Sequence, residues 1–102
     1  MEEEYVEAVL RVVESIPAGK VLTYGDVAEL VGRAGPRQVG RVMATLGSLV
    51  PWWRVLRASG EPASGHELQA LEELRAERTP LRPDGRRVDL GLARWAGPGA
   101  GD

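Results

Sequence analysis

Apolar residues recur along the start of the chain with the period of a helix. Val6, Val9, Leu10 and Val13 stand at i, i+3, i+4 and i+7 with charged residues between them, which predicts an amphipathic helix over residues 5–15. Ile16, Pro17, Ala18 and Gly19 end it. Thr23, followed three residues later by Asp26, has the spacing of a capping box and predicts a short helix carrying Val27, Ala28, Leu30 and Val31 up to Gly32. Gly35-Pro36 opens the next helix, proline being suited to a first helical turn. Val39, Val42, Met43 and Leu46 give that helix a core face, while Arg37, Arg41 and Thr45 lie opposite, with the slim Gly40 and Ala44 beside them. Two short helices joined by a glycine-containing turn, the second basic on its outer side, describe a helix-turn-helix.

Beyond Val50-Pro51 the periodicity breaks. Residues 52–57 read as an exposed turn leading into a short strand, and residues 59–65 as a loop of small residues able to close over something. Leu68, Leu71 and Leu74 predict a last long helix over 67–78 with those leucines inward. The Asp84-Gly85 pair predicts a hairpin or wing within 81–88. The fold class expected is therefore mainly α, a winged helix-turn-helix-like single domain with short β strands, spanning residues 1–96 and followed by a flexible glycine-rich tail at 97–102.

Composition narrows the chemistry. The chain has 102 residues, room for one modest core and shallow sites. It contains no cysteine, which removes thiol chemistry and zinc-thiolate sites, and a single histidine, His66, which removes a multi-histidine metal centre. No metal or other cofactor is expected. No segment is apolar enough to span a bilayer, and the acidic start is unlike a signal peptide, so the cytoplasm is the expected location.

The net charge of −2 hides a segregation. Residues 1–29 balance to −5, residues 30–60 carry five arginines and no acid, and residues 61–102 balance to −2. A basic middle between acidic ends suits a phosphate-facing surface on a molecule that otherwise repels polyanions.

Three features resist explanation as packing alone. Trp52 and Trp53 are adjacent, so their side chains point apart in turn or extended backbone, and one ring can anchor the turn while the other offers a stacking surface for a planar base. Arg37, at the amino-terminal end of the second helix of the pair, can reach a phosphate or a base, though it can equally be a solvated arginine. Tyr24 opens the first helix of the pair, where backbone amides and the helix dipole favour a phosphate, although tyrosine there also serves packing. Catalytic constellations are missing: Ser48, Ser59 and Ser64 have no recognisable base, and Glu77, a lone carboxylate at a helix end, reads as solvated. The residues favour binding over catalysis.

Read together, Ile16-Pro17-x-Gly19-x-Val21-x-Thr23-Tyr24-Gly25-Asp26-Val27-Ala28, then Gly35-Pro36-Arg37-Gln38-Val39-Gly40, then Val50-Pro51-Trp52-Trp53-Arg54-Val55 resemble the DNA-binding domain of the O6-alkylguanine-DNA alkyltransferases. In that family a Pro-Cys-His-Arg-Val segment holds the nucleophilic cysteine and its histidine base. Here Trp52 and Trp53 occupy those two positions. A tryptophan in place of the cysteine is similar to the alkyltransferase-like proteins, a non-enzymatic branch whose typical members read Pro-Trp-His-Arg, so Trp53 is a departure.

The resemblance implies that double-stranded DNA containing O6-alkylguanine is the partner, bound by nucleotide flipping without alkyl transfer and passed to nucleotide excision repair. It also implies roles. Tyr24 would rotate the phosphate of the target nucleotide, Arg37 would fill the vacated stack, and Gln38, Gly40 and Arg41 would share the DNA-facing helix, which lies in the minor groove in this family. Trp52, Trp53, Arg54, Val55, Ser59 and Gly60, with Tyr24, would form the lesion pocket, under a lid made by residues 59–65. Some relatives place an arginine near position 65 to sense the base; this chain has Ser64-Gly65-His66 instead. A monomer is expected. The alternatives are a winged helix-turn-helix transcription regulator that reads intact DNA, and a glycosylase or hydrolase that would alter the base.

Overall fold

The computed structural model describes residues 2–99. Helix α1 (Glu3–Ser15) leads to strand β1 (Leu22–Thr23), α2 (Tyr24–Val31) and α3 (Pro36–Leu46). Two single 3-10 turns, Gly47–Leu49 and Trp52–Arg54, precede strand β2 (Val55–Leu56), and α4 (Glu67–Ala76) and α5 (Leu90–Ala93) complete the order. The mainly helical architecture expected from the sequence is the one observed, with a single two-stranded sheet among the described residues.

The helix starts follow their local chemistry. The Thr23 hydroxyl accepts from the Asp26 N–H at 3.0 Å, and the Asp26 carboxylate accepts from the Thr23 N–H at 2.9 Å, so two otherwise orphaned donors of α2 are satisfied. At the start of α3 the Gln38 side-chain oxygen accepts from the Gly35 N–H at 3.0 Å, beside Pro36 in the first turn. Gly32, in the left-handed region at φ 88°, closes α2. Arg78 takes the left-handed conformation just past α4, where the Thr79 N–H reaches back to the Leu74 carbonyl at 3.0 Å.

β1 and β2 run parallel, Leu22 opposite Val55 and Thr23 opposite Leu56. This short ladder divides two apolar cores. Leu22 and Val55 face the larger one, with Tyr5, Val9 and Val13 of α1, Val27 of α2, Val39 and Val42 of α3, and Trp95. Leu56 and the neighbouring Val21 face a smaller core with Leu71 and Leu74 of α4, Val88 and Ala93. The opposite facing of adjacent strand residues thus makes one pair of strands the wall between two clusters.

Several expectations are corrected. Leu68 is 82% exposed, because at about 100° per residue it falls more than a right angle away from the inward side defined by Ala70, Leu71 and Leu74. The helix stops at Ala76 rather than running to position 78. The segment 81–88 turns back as expected, with the Arg82 N–H bonded to the Arg87 carbonyl at 2.8 Å, but makes only one antiparallel bridge, Leu81 to Val88, so it is a turn rather than a stranded wing. Packing extends past position 96: Gly97 is buried, and a Cβ there would lie 3.6 Å from Leu30. Pro98 and Gly99 are exposed, and residues 100–102 of the expected tail lie outside the described residues.

Gly60 is held where no side chain fits. Its φ is +89°, and a Cβ would sit 2.7 Å from the Val88 carbonyl oxygen. Gly60→Ala is expected to destabilise the chain by about 2–3 kcal/mol, from the left-handed backbone and the forced separation of the 57–62 turn from Val88. A urea-unfolding midpoint unchanged from that of the parent would contradict this.

Candidate nucleic-acid interface

A cleft of about 470 Å³ runs alongside α3, within the range of roughly 300–1,000 Å³ found for ligand sites. Gly40, Met43, Ala44 and Thr45 supply its α3 side, Tyr24 one end, and Trp52, Ala63, Ser64, His66 and Gln69 the opposing wall. The small Gly40 and Ala44 leave this side of the helix open, since nothing lies within 4 Å of a Cβ built at Gly40. Gly47 lets α3 end tightly against the wall, with a Cβ there only 3.4 Å from Met43 and 3.6 Å from Trp52.

The adjacent tryptophans diverge. Their ring centroids are 5.9 Å apart at an interplanar angle of 84°. Trp52 lines the cleft and meets His66 edge-on, centroids 5.8 Å apart. Trp53 turns the other way, packing against the smaller core, with the Arg54 guanidinium 5.5 Å from its ring centroid. Trp53 is therefore not part of the cleft wall. The two positions divide into a ring offered to the cleft and a ring that anchors the turn.

Arg54 sits behind the wall, not in it. Its Nη1 donates to the Ile16 carbonyl at 2.8 Å, and its Nε and Nη2 form a fork on the Glu77 carboxylate, the Nε contact at 3.0 Å. Both partners are about 15% exposed. Glu77 is thus no solvated helix-end carboxylate. Burial pushes its carboxyl up. The Arg54 hydrogen bonds and charge, the nearby Trp53 indole N–H and the Gly19 N–H outweigh that and hold it below the usual carboxylate range. The Trp53 Nε1 is buried and makes no well-formed hydrogen bond of its own. This hub ties the end of α1, the 3-10 turn carrying both tryptophans and the end of α4 into one unit.

The remaining predicted pocket residues lie elsewhere. Val55 is a core residue of β2. Ser59 is exposed and bonds Glu61 at 2.8 Å, and Gly60 is buried against Val88, because the Arg57 N–H bonds the Glu61 carbonyl at 2.9 Å and turns the loop back on β2. Only the second half of the predicted lid, Ala63 and Ser64 with His66 following, borders the cleft. Met43, Thr45, Ser48 and Gln69 are lining residues that sequence reasoning missed. For Met43 and Thr45 a signal existed, since Gly40 and Ala44 already marked that side of the helix as slim.

Of the residues predicted to face DNA, Tyr24 and Gly40 border the main cleft, whereas Gln38 and Arg41 border a second, smaller one. Burial pushes the Tyr24 hydroxyl above its ordinary value, partly offset by the positive Arg57, so the phenol stays protonated and available as a donor at neutral pH. Arg37 is exposed in the first turn of α3 and makes no hydrogen bond or ion pair among the described residues. It projects a free cation beside the cleft-bearing helix. Among the described residues no group of three or more potential metal ligands is present, and no helix is long and apolar enough to cross a membrane.

Comparison with known proteins agrees with this geometry. The model of the 6-O-methylguanine DNA methyltransferase DNA-binding domain matches residues 4–79. The Escherichia coli DNA base-flipping protein is 39% identical over 99 residues, covering 92% of this chain and 76% of that protein. Alkyltransferase-like protein 1 of Schizosaccharomyces pombe is 38% identical over 79 residues, 74% of this chain and 72% of that protein. The crystal structure of S. pombe Atl1 in complex with damaged DNA containing O6-carboxymethylguanine superposes with a TM-score of 0.80 at 31% identity, covering 93% of this chain and 97% of that one. The chain belongs to the family of the 6-O-methylguanine DNA methyltransferase DNA-binding domain, alongside its base-flipping and alkyltransferase-like members.

Proposed function

We propose that this protein binds O6-alkylguanine in duplex DNA by rotating the modified nucleotide into the cleft beside α3, holds it without transferring the alkyl group, and so marks the lesion for nucleotide excision repair. The observation that carries this reading is the position of Trp52. Its ring forms a wall of a base-sized cleft against the helix that bears Arg37. The same position is where an alkyltransferase would carry its acceptor thiol.

The energetics are favourable. Extruding a nucleotide costs a few kcal/mol, less where alkylation has already weakened its pair. Stacking on one aromatic ring returns about 1–3 kcal/mol, and the cationic α3 adds phosphate contacts. An indole cannot accept an alkyl group as a thiolate does, so the bound state is not consumed and persists. On this reading the protein acts as a monomer in the cytoplasm, with excision-repair proteins as its downstream partners.

Two duplexes identical except for one O6-methylguanine test the proposal. The expected result is tighter binding to the modified duplex, quenched tryptophan emission on binding, and full recovery of the modified base afterwards. Equal affinity for the two duplexes would favour a regulator of intact DNA. Loss of the methyl group or release of the base would make the protein an enzyme.

A further inference from the structure

A second cleft, of about 230 Å³, lies between the start of α1 and the turn joining α2 to α3. Glu2, Tyr5, Arg33, Ala34, Gln38 and Arg41 line it. Two guanidinium groups border this small space, and Gln38 and Arg41 belong to the same helix that carries Arg37. Arg33 is held in place from two sides. Its Nη2 donates to the Glu2 carboxylate, and its guanidinium lies 5.5 Å from the centroid of the Tyr5 ring. The Tyr5 side chain is itself buried, at 7% exposure, and its hydroxyl is enclosed with no hydrogen-bond partner among the described residues. A buried hydroxyl left unpaired is uncommon in a folded chain and calls for an acceptor.

We infer that this cleft is a seat for a phosphate of the DNA backbone outside the flipped nucleotide, with Glu2 acting as an internal stand-in for that phosphate in the free protein. The inference rests on the DNA-binding reading above and extends it to a second contact. An arginine fork that fits a carboxylate also fits a phosphate, and a phosphate carries the same sign of charge with more acceptor oxygens. Both members of the Glu2–Arg33 pair are more than half exposed, so the pair contributes little to stability and yields readily to a competitor. An anion entering the cleft meets Arg33, Arg41 and the Gln38 amide. The carboxylate then returns to solvent. Binding at this seat is blind to the lesion, because it touches backbone and not base.

The test measures fluorescence anisotropy of the whole protein with an intact duplex and with its O6-methylguanine counterpart, over a range of salt concentrations. Arg33→Gln is expected to weaken both duplexes by the same factor, about 3- to 10-fold, and to lower the slope of log affinity against log salt by about 0.9, the loss of one phosphate contact. Glu2→Gln is expected to strengthen both, about 2- to 5-fold, by removing the competing carboxylate. Arg86→Gln, which removes an equal charge from the distant 81–88 turn, serves as the control and should leave the slope unchanged. Glu2→Gln with no gain on either duplex would overturn the inference. So would Arg86→Gln matching Arg33→Gln, since the effect would then belong to net charge. Failure of the flipping proposal reads out separately, in the ratio between the two duplexes rather than in their shared affinity.

Discussion

Glu77→Ala is expected to lower the unfolding free energy by about 3 kcal/mol. Removing one member of a largely buried ion pair leaves the other charge without its partner, and Arg54 cannot shed its proton to escape. The guanidinium would keep its 2.8 Å bond to the Ile16 carbonyl but lose both contacts to the carboxylate. The Gly19 N–H, which donates to Glu77 at 3.4 Å, would lose its acceptor as well. The effect has a pH signature. The Glu77 carboxyl is held below its ordinary range in the folded chain, whereas unfolded it titrates at the ordinary glutamate value. Its contribution is therefore fully present above that value and disappears as pH falls through the lower folded value, where folding must proceed with a neutral acid. Urea-unfolding midpoints from pH 7 down to pH 3 should fall more steeply in the parent than in Glu77→Ala, so the two curves converge in acid. Parallel curves would show that the pair has no electrostatic role. Replacing both partners with apolar residues of similar size should cost less than Glu77→Ala alone, because no charge is then stranded.

The hub also shows what the chain discloses before it folds and what it withholds. The helices were legible because their signals are local. An apolar period near 3.6, the Thr23–Asp26 box and Pro36 in a first turn act within a few residues of each other. Strand β2 was legible too, as the short strand expected after the tryptophan turn, but β1 and its parallel pairing were not, since two residues carry no alternation to read. The divergence of Trp52 and Trp53 followed from backbone geometry, but which ring faces the cleft is decided by the smaller core, whose residues come from segments as far along the chain as α4, Val88 and Ala93. Glu77 looked solvated for the same reason: its partner is 23 residues away. The cleft-bordering part of the lid lies half a loop later than the sequence predicts, because the turn at Gly60 closes onto Val88, a contact no local pattern announces. Long-range packing thus reassigned the predicted pocket residues, while the basic helix and its slim side needed only local spacing.

Trp52→Ala is expected to reduce affinity for the modified duplex by about 5- to 150-fold, the loss of one base-stacking surface worth about 1–3 kcal/mol. Affinity for the intact duplex should hardly change, because Trp52 faces the cleft and the phosphate-reaching cations of α3 are untouched. The ring is only partly buried, so the cost in stability is expected to stay near about 1–2 kcal/mol, less than truncating an enclosed aromatic. Trp53→Ala provides the contrast. That ring packs against the smaller core and under Arg54, so its loss should fall mainly on the unfolding midpoint and much less on the ratio between the duplexes. Arg37→Ala should weaken the modified duplex sharply and the intact one less, if the cation enters the stack only once a nucleotide has left it. Anisotropy with both duplexes, read beside unfolding curves for the three variants, separates these effects. Were Trp52→Ala to keep the full preference for O6-methylguanine, the modified base would not be stacking on that wall, and the cleft beside α3 would lose its claim to be the lesion site.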